Sequence, residues 1–390
     1  MAGSEQVEGA NQVEAFTLEF RAWLEANLPD DLRSEAGGTT LELVMEVGIE
    51  RLRSWNHCLA DARFAAIAWP AEFGGRDAGP LHQVAYLEEL SRAGAPGPLN
   101  LVGIPNIGPA IMAWATDEQR TRFLPGMLRG DELWCQGFSE PGAGSDLASL
   151  ETRARLDGDH YVVSGQKVWT SLGHLADFCE LLVRTDPHAP ARSAMSCLLV
   201  DLRLPGIERR PLRTMSGATE FAEMFFDDVR VPRSALLGPE GRGWEVAMST
   251  LTHERAGFAM LHLRARSKLQ ALTAESAPTA DTDLGFARHG LRRQELADLY
   301  IRLRVLELFG RRVLAESASG LSSPKANLAK LLWSDLENRI ASAAGRLLGP
   351  AAMAGQWAEY ALRTPGYRIA GGTSEVVRNT LAERVLMLPR

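Results

Sequence analysis

An α+β architecture in three consecutive parts is predicted for this 390-residue chain: an N-terminal α-helical domain (residues 1–130), a central β-barrel-like domain (131–240) and a C-terminal four-helix bundle (241–390). Three observations predict it. Apolar residues recur at helical spacing up to about Arg129, as in Phe16, Phe20, Trp23 and Leu24. From about Leu133 to Leu237 the pattern changes to short alternating runs. After Gly241-Arg242-Gly243 the helical period returns and persists.

In the first part, Thr116-Asp117-Glu118-Gln119 has the form of a capping box, in which the threonine oxygen accepts a first-turn N–H that has no partner within the helix. Trp69 to Gly75 is a loop rich in helix breakers. In the second part, Thr152, Ala154 and Leu156, then Tyr161-Val162-Val163, then Ser196 to Val200 read as strands, with Asp157-Gly158 turning between the first two. Pro205-Gly206 and Val231-Pro232 punctuate the remainder. In the third part, long helices are expected over 244–272, 294–318 and 325–348, and a shorter one over about 374–386. Short connections between them favour a bundle, and the polar stretch 273–288 reads as a loop.

Composition excludes several classes. A hydrophobic content of 45% against 23% charged residues is that of a globular protein, not a disordered one. The net charge of −7, without a long basic run, disfavours nucleic acid and anionic membranes as partners. Cys58, Cys135, Cys179 and Cys197 lie far apart and form no C-x-x-C pair, so they read as reduced core thiols of a cytoplasmic protein, with no metal site. The start, residues 1–14, is polar and acidic, unlike a secretory signal. No apolar run approaches the ~18–20 residues of a membrane span.

The motif Ser139-Glu140-Pro141-Gly142-Ala143-Gly144-Ser145-Asp146 looks at first like a dinucleotide fingerprint. It fails as one, because Leu147 stands where a Gly or Ala is needed and the residues beyond it alternate like a strand. Alone it would be a tight Pro-Gly turn. Its context is Trp134-Cys135-Gln136-Gly137-Phe138 before it and Gly165-Gln166-Lys167-Val168-Trp169-Thr170-Ser171 after it. Together, and with the helical–β–helical order, these residues resemble the flavin- and thioester-binding segment of the acyl-CoA dehydrogenase family. The resemblance covers essentially the whole chain.

That resemblance implies α,β-desaturation of an acyl-CoA thioester with FAD, a carboxylate taking the Cα proton while a hydride leaves Cβ for flavin N5. It assigns Gln136 and Phe138 to the flavin pocket through backbone contacts, Ser139 to the pyrimidine side, Trp169 to the flank of the isoalloxazine and Ser171 to the vicinity of N5. Gly372 and Thr373, in the C-terminal Gly-Thr-Ser loop, complete the cofactor set. Ser145 would lie near the pantetheine arm and Arg255 near the CoA. Without that context, Trp169 would equally be a core tryptophan on a strand.

The glutamate that many members carry just before Gly-Thr-Ser is Gly371 here, and glycine cannot abstract a proton. The isovaleryl-type branch places its base on a helix as Glu-Arg, and Leu251-Thr252-His253-Glu254-Arg255 matches that place. Glu254 is therefore the expected base; the plainer alternative is a helix-surface ion-pair partner. Gly371 keeps the N–H that, with a flavin ribityl hydroxyl, would hold the thioester oxygen. Its missing side chain would make room for a branched or bulky acyl group.

The resemblance breaks where members lend residues to a neighbour's FAD. The family's Arg-x-x-Phe-Gly corresponds to 279–283, which has no Arg, and its Gln-x-x-Gly-Gly to Arg346-Leu347-Leu348-Gly349-Pro350. A tetramer is implied, either homomeric or an α2β2 pairing with a sibling subunit similar to bacterial steroid side-chain acyl-CoA dehydrogenases. A homo-oligomer would have to grip FAD otherwise, through Arg288, Arg292 or Arg346. An electron-transfer flavoprotein is the implied acceptor. Two rival readings are a flavin oxidase or monooxygenase, and a non-catalytic subunit completing a sibling's FAD site; retention of Glu254, Ser139, Trp169 and Ser171 argues against the latter.

Overall fold

A computed structural model describes residues 2–33, 44, 47–257, 260–277, 285–318 and 325–389. Its helices are α1 (Ala2–Asn27), α2 (Ile49–Asp61), α3 (Pro80–Ala93), α4 (Gly108–Trp114), α5 (Asp117–Arg129), α6 (Gly243–Gly257), α7 (His262–Glu275), α8 (Gly285–Ala318), α9 (Ala326–Leu348), α10 (Gly355–Arg363) and α11 (Ser374–Arg384). Its strands are β1 (Trp134–Gly137), β2 (Arg153–Asp157), β3 (His160–Ser171), β4 (Phe178–Arg184), β5 (Met195–Asp201), β6 (Ile207–Leu212), β7 (Phe221–Pro232) and β8 (Leu236–Leu237). Helical, sheet and helical segments thus occur in the predicted order. The chain packs as two compact units, one of residues 39–77 and 97–254, the other of 1–38, 78–96 and 255–390.

In the sheet unit the strands run β6-β7-β3-β2-β4-β5-β8, with β1 parallel to β4 off that path. The Asp157-Gly158 turn sets β2 and β3 antiparallel, with Asp157 opposite His160. β2 meets β4 only at Arg153 and Arg184, so two ribbons join at a narrow seam. One core holds them together, with Ala154, Tyr161 and Val231 from one ribbon and Leu181, Leu198 and Val200 from the other. Burying these aliphatic faces is the main stabilising term.

The helices of this unit are fastened to the sheet by buried amides. Asn100 Nδ2 donates to the carbonyls of Met127 (3.1 Å) and Glu132 (2.9 Å), while its Oδ1 accepts from the Trp134 N–H (3.2 Å). Thr116 caps α5 as predicted: its hydroxyl oxygen accepts from the Gln119 N–H, and Gln119 Oε1 accepts from the Thr116 N–H. Gln119 Nε2 reaches further, donating to the carbonyls of Ser234 (2.8 Å) and Leu236 (3.0 Å) at the start of β8.

In the helical unit α1 lies against α3. Phe20 stacks on Tyr86 with ring centroids 4.6 Å apart, and Arg21 donates two hydrogen bonds to Glu89 at 2.8 and 3.0 Å. α7 to α10 share a core that includes Leu272, Leu303, Trp333, Ile340 and Trp357. Glu337 sits within it, accepting from Trp333 Nε1 (2.9 Å) and the Tyr360 hydroxyl (2.7 Å), and burial pushes its carboxyl above the ordinary value.

Four details differ from the sequence reading. The helix expected over 244–272 is two, α6 and α7, with a tighter turn at Met260 and Leu261 ahead of α7. α8 begins at Gly285, so Gly285 to Arg288 are helical, while 278–284 lie outside the described residues. α10 has no counterpart among the expected helices; its apolar pattern is little more than Trp357 and Tyr360, too short a period to stand out. Cys58 is exposed, since α2 buries the stripe Leu52, Trp55 and Leu59 instead; the other three cysteines are buried. Among the described residues no helix is long and apolar enough to cross a membrane, and no group of three or more His, Cys, Asp and Glu could hold a metal ion.

Replacing Asn100 with Ala leaves one N–H and two carbonyls unpaired in the interior. It should lower the unfolding free energy of the sheet unit by about 3 kcal/mol, measured by denaturant titration with tryptophan fluorescence. A loss below about 0.5 kcal/mol would show that the three backbone groups find other partners.

Candidate active site

The site builds outward from the end of β1. Beyond Gly137 the chain continues as Phe138-Ser139-Glu140 and closes on itself through a bridge between Glu140 and Ala143, whose N–H groups donate to each other's carbonyls at 3.1 and 3.0 Å. Lys167, on β3, is fully buried beneath this turn. Its Nζ donates to the Phe138 carbonyl (3.0 Å) and to Glu140 Oε1 (2.8 Å). Glu140 also accepts the N–H groups of Glu151 (2.6 Å) and Thr152 (2.9 Å), where the chain enters β2. Burial alone would raise the Glu140 carboxyl, but the Lys167 charge and these hydrogen bonds outweigh it and hold the group below its ordinary value. Burial lowers the Lys167 ammonium, against the pull of Glu140.

On the same strand the register slips between Lys167 and Thr170. Within that bulge Trp169 takes φ 61°, a left-handed conformation that non-glycine residues seldom adopt. Its ring is 60% exposed and meets Phe221 edge-on at 5.9 Å. This is not a core tryptophan: the bulge turns it out to solvent. Val168 N–H donates to the Ser139 carbonyl (2.9 Å), so the strand presenting Trp169 and Ser171 is tied directly to the turn presenting Ser139. Gly165, at φ 153°, is required here, because a Cβ would lie 2.5 Å from Thr152 Oγ1.

Buried polar atoms without a hydrogen-bond partner among the described residues include Trp134 Nε1 and Gln136 Nε2 on β1, Thr170 Oγ1 on β3 and Glu180 Oε2 on β4. Phe138 is buried with Ala143, Leu150 and Ala247, so α6 packs on the same turn through Ala247, Trp244 and Leu251. Glu254 lies on α6, half-buried, two turns beyond Ala247. Ser145 is exposed in the Gly-rich turn.

Within the helical unit the loop ahead of α11 has its own clamp. Gly371 and Gly372 take φ 66° and 94°, both left-handed. Lys330, fully buried on α9, donates to the Gly372 carbonyl (2.7 Å) and the Arg368 carbonyl (3.3 Å). Burial pushes its ammonium down to about 8. Thr373 caps α11, its hydroxyl oxygen accepting from the Val376 N–H at 3.3 Å. The Gly371 N–H has no acceptor among the described residues.

The sheet unit thus gathers Gln136, Phe138, Ser139, Trp169 and Ser171 around one buried ion pair and seats the helix of Glu254 beside them. Gly371, Gly372 and Thr373 share the second loop. The Arg255 side chain lies outside the described residues, as does the stretch 279–283. Glu140 and Lys167 stand inside the sequence motifs, yet the motifs alone give them no task, and Lys330 stands in none. The available signal was a lysine at a buried register position: Lys167 within the alternation of β3, and Lys330 on the buried face of α9.

Comparison with known proteins agrees along the whole chain. Residues 35–131, 135–229 and 241–386 match the acyl-CoA dehydrogenase N-terminal, middle and C-terminal domains. The acyl-CoA dehydrogenase IpdE1 of Mycobacterium tuberculosis is 38% identical over 390 residues, covering 97% of this chain and 98% of the relative. The crystal structure of the ChsE4–ChsE5 complex from Mycobacterium tuberculosis is similar with a TM-score of 0.82 and 30% identity, covering 97% of this chain and 98% of that one. The Tcur3481–Tcur3483 steroid ACAD is similar with a TM-score of 0.83 and 29% identity, at the same coverages.

Lys167→Met should strand the Glu140 carboxylate and the Phe138 carbonyl in the interior and cost about 3–5 kcal/mol of stability. Urea titration checks it; a variant as stable as the wild type would show that the pair does not fix the turn.

Proposed function

The chain belongs to the acyl-CoA dehydrogenase family, and from that premise we propose that it introduces a Cα–Cβ double bond into a bulky, ring-bearing acyl-CoA, using FAD and Glu254 as the base. The observation that carries the reading is Trp169: an exposed aromatic, held in a left-handed bulge and tied to the Ser139 turn. A backbone kept in a sparsely populated conformation to expose a large ring suits a ligand platform better than a core. Gln136 Nε2, without a partner among the described residues, is a donor that fits a polar heterocycle bringing its own acceptors.

In this reading Gln136, Phe138, Ser139, Trp169 and Ser171, with Gly372 and Thr373, hold FAD. When bound, it supplies the two-electron acceptor that no side chain can. Glu254, half-buried on α6, takes the Cα proton. Charge builds on the thioester oxygen as the proton leaves, and the Gly371 N–H is a free donor for it. Ser145 and Arg255 serve the pantetheine and CoA. The lack of a side chain at Gly371 favours a wide acyl group, and the steroid relative points the same way. The three-part division at about 130 and 240 is the domain scheme proposed with it. An electron-transfer flavoprotein reoxidises the cofactor in a reducing cytoplasm, where four free cysteines are at home.

A second reading concerns assembly. Arg346 pairs with Glu295 (Nε to Oε1 2.8 Å), and Arg292 donates to Ser276 Oγ and the Thr273 carbonyl. Both are thus engaged locally instead of standing ready for a neighbour's FAD. We propose that the chain is the base-bearing subunit of a heterotetramer, a reading supported by the two-component relative ChsE4–ChsE5.

Glu254→Gln should lower kcat by roughly 10²–10⁴ while the flavin content per chain stays unchanged; unaltered turnover would remove Glu254 as the base. Purified alone, the chain should carry well under one flavin, rising toward one on co-expression with a sibling subunit. Full flavin in the lone chain would contradict the heteromeric assembly.

A further inference from the structure

Glu180 is a buried acid that the reaction does not use. It stands at the centre of β4, opposite Gln136 of β1 and Leu199 of β5, in the otherwise apolar run Phe178-Cys179-Glu180-Leu181-Leu182-Val183. Its side chain is fully buried. The Thr250 hydroxyl, on α6 and equally buried, donates to its Oε1 at 2.7 Å, and the Cys197 thiol approaches the same oxygen at 3.8 Å. Oε2 has no partner among the described residues.

α6 is packed on the sheet near its start by the fully buried Val246 and Ala247, contacts that have no donor–acceptor direction. A hydrogen bond from a side chain near its middle does have direction. Thr250 lies one turn before Glu254, displaced from it by about 40° around the axis. Whatever fixes the azimuth of Thr250 therefore fixes where Glu254 points.

We propose that the buried Glu180–Thr250 hydrogen bond sets the rotation of α6 and so aims Glu254, which makes Glu180 and Thr250 positioning residues of the reaction. The proposal rests on Glu254 as the base. The Thr250 hydroxyl is also 3.3 Å from the Val246 carbonyl, and it has only one proton for two acceptors. A protonated Glu180 resolves the conflict by donating to Thr250 Oγ1, which frees the hydroxyl for Val246. Burial does push this carboxyl up to about 8, against the hydrogen bonds of Thr250 and Cys197. The titratable groups around it are the Cys197 and Cys179 thiols and, through Cys197, the Lys167 ammonium. An acid whose pKa rises on folding binds its proton more tightly in the native state, so the stability it carries is present below its ordinary 4.5 and lost as pH climbs through about 8.

Thr250→Val, Thr250→Ser, Glu180→Leu and Glu180→Gln, in the flavin-loaded protein, test this. Thr250→Val is isosteric and should fold; with Glu180→Leu it should lower kcat roughly 10- to 100-fold with little change in KM. The conservative Ser and Gln variants should retain most of the turnover. Hydrogen exchange in peptides covering 248–257 should rise several-fold in Thr250→Val. In the wild type, but not in Glu180→Gln, it should also rise between about pH 7 and pH 9 beyond the intrinsic base-catalysed trend. Unchanged exchange and unchanged kcat in Thr250→Val would overturn the proposal. Glu254→Gln separates the two readings: if it retains turnover the base assignment fails, while the exchange data still report whether Glu180 holds α6.

Discussion

The Lys167–Glu140 ion pair is the constraint on which the site depends. Two opposite charges inside a β domain stand only if each is hydrogen-bonded on most sides, and here the partners are three backbone groups at two strand ends. The lysine draws in the Phe138 carbonyl, and the glutamate draws in the N–H groups of Glu151 and Thr152. The turn after β1, the entry to β2 and the middle of β3 are thereby fixed to one another. Ser139 and Trp169 inherit their placement from that knot, the second through a bulge that an unanchored strand would relax. An apolar pair of equal volume could fill the same space, but it would leave those backbone groups without partners.

Much of this was legible in the sequence because it comes from periodicity and punctuation. The change from helical to alternating spacing near Leu133, the Asp157-Gly158 turn and the Thr116 cap are local signals, and each element formed where its signal lay. The features that escaped depend on contacts distant in sequence. The break between α6 and α7 follows Gly257, a single glycine inside an otherwise continuous helical period and too weak a signal alone to end the helix. Lys167 meets Glu140 only because two strands are adjacent, and Glu180 meets Thr250 across seventy residues. Trp169 was legible as a family position, but its exposure comes from the register slip opposite β7 and from no property of the tripeptide around it.

The loop ahead of α11 is built on two glycines in the left-handed region. Where the family commonly keeps a carboxylate in the loop, this chain has a left-handed glycine whose N–H remains available, and Lys330 holds the loop from below by two carbonyls. In the proposed reaction the base stands instead on α6, one turn beyond Thr250.

Desaturation by a bound flavin is tested most directly by anaerobic titration of the flavin-loaded protein with acyl-CoA thioesters, following the flavin absorbance and the thioester product together. The absorbance should bleach without oxygen, most fully with ring-bearing acyl groups, and one α,β-unsaturated thioester should form for each flavin reduced. A flavin that stays oxidised with every acyl-CoA, although bound at full occupancy, would contradict the proposed reaction.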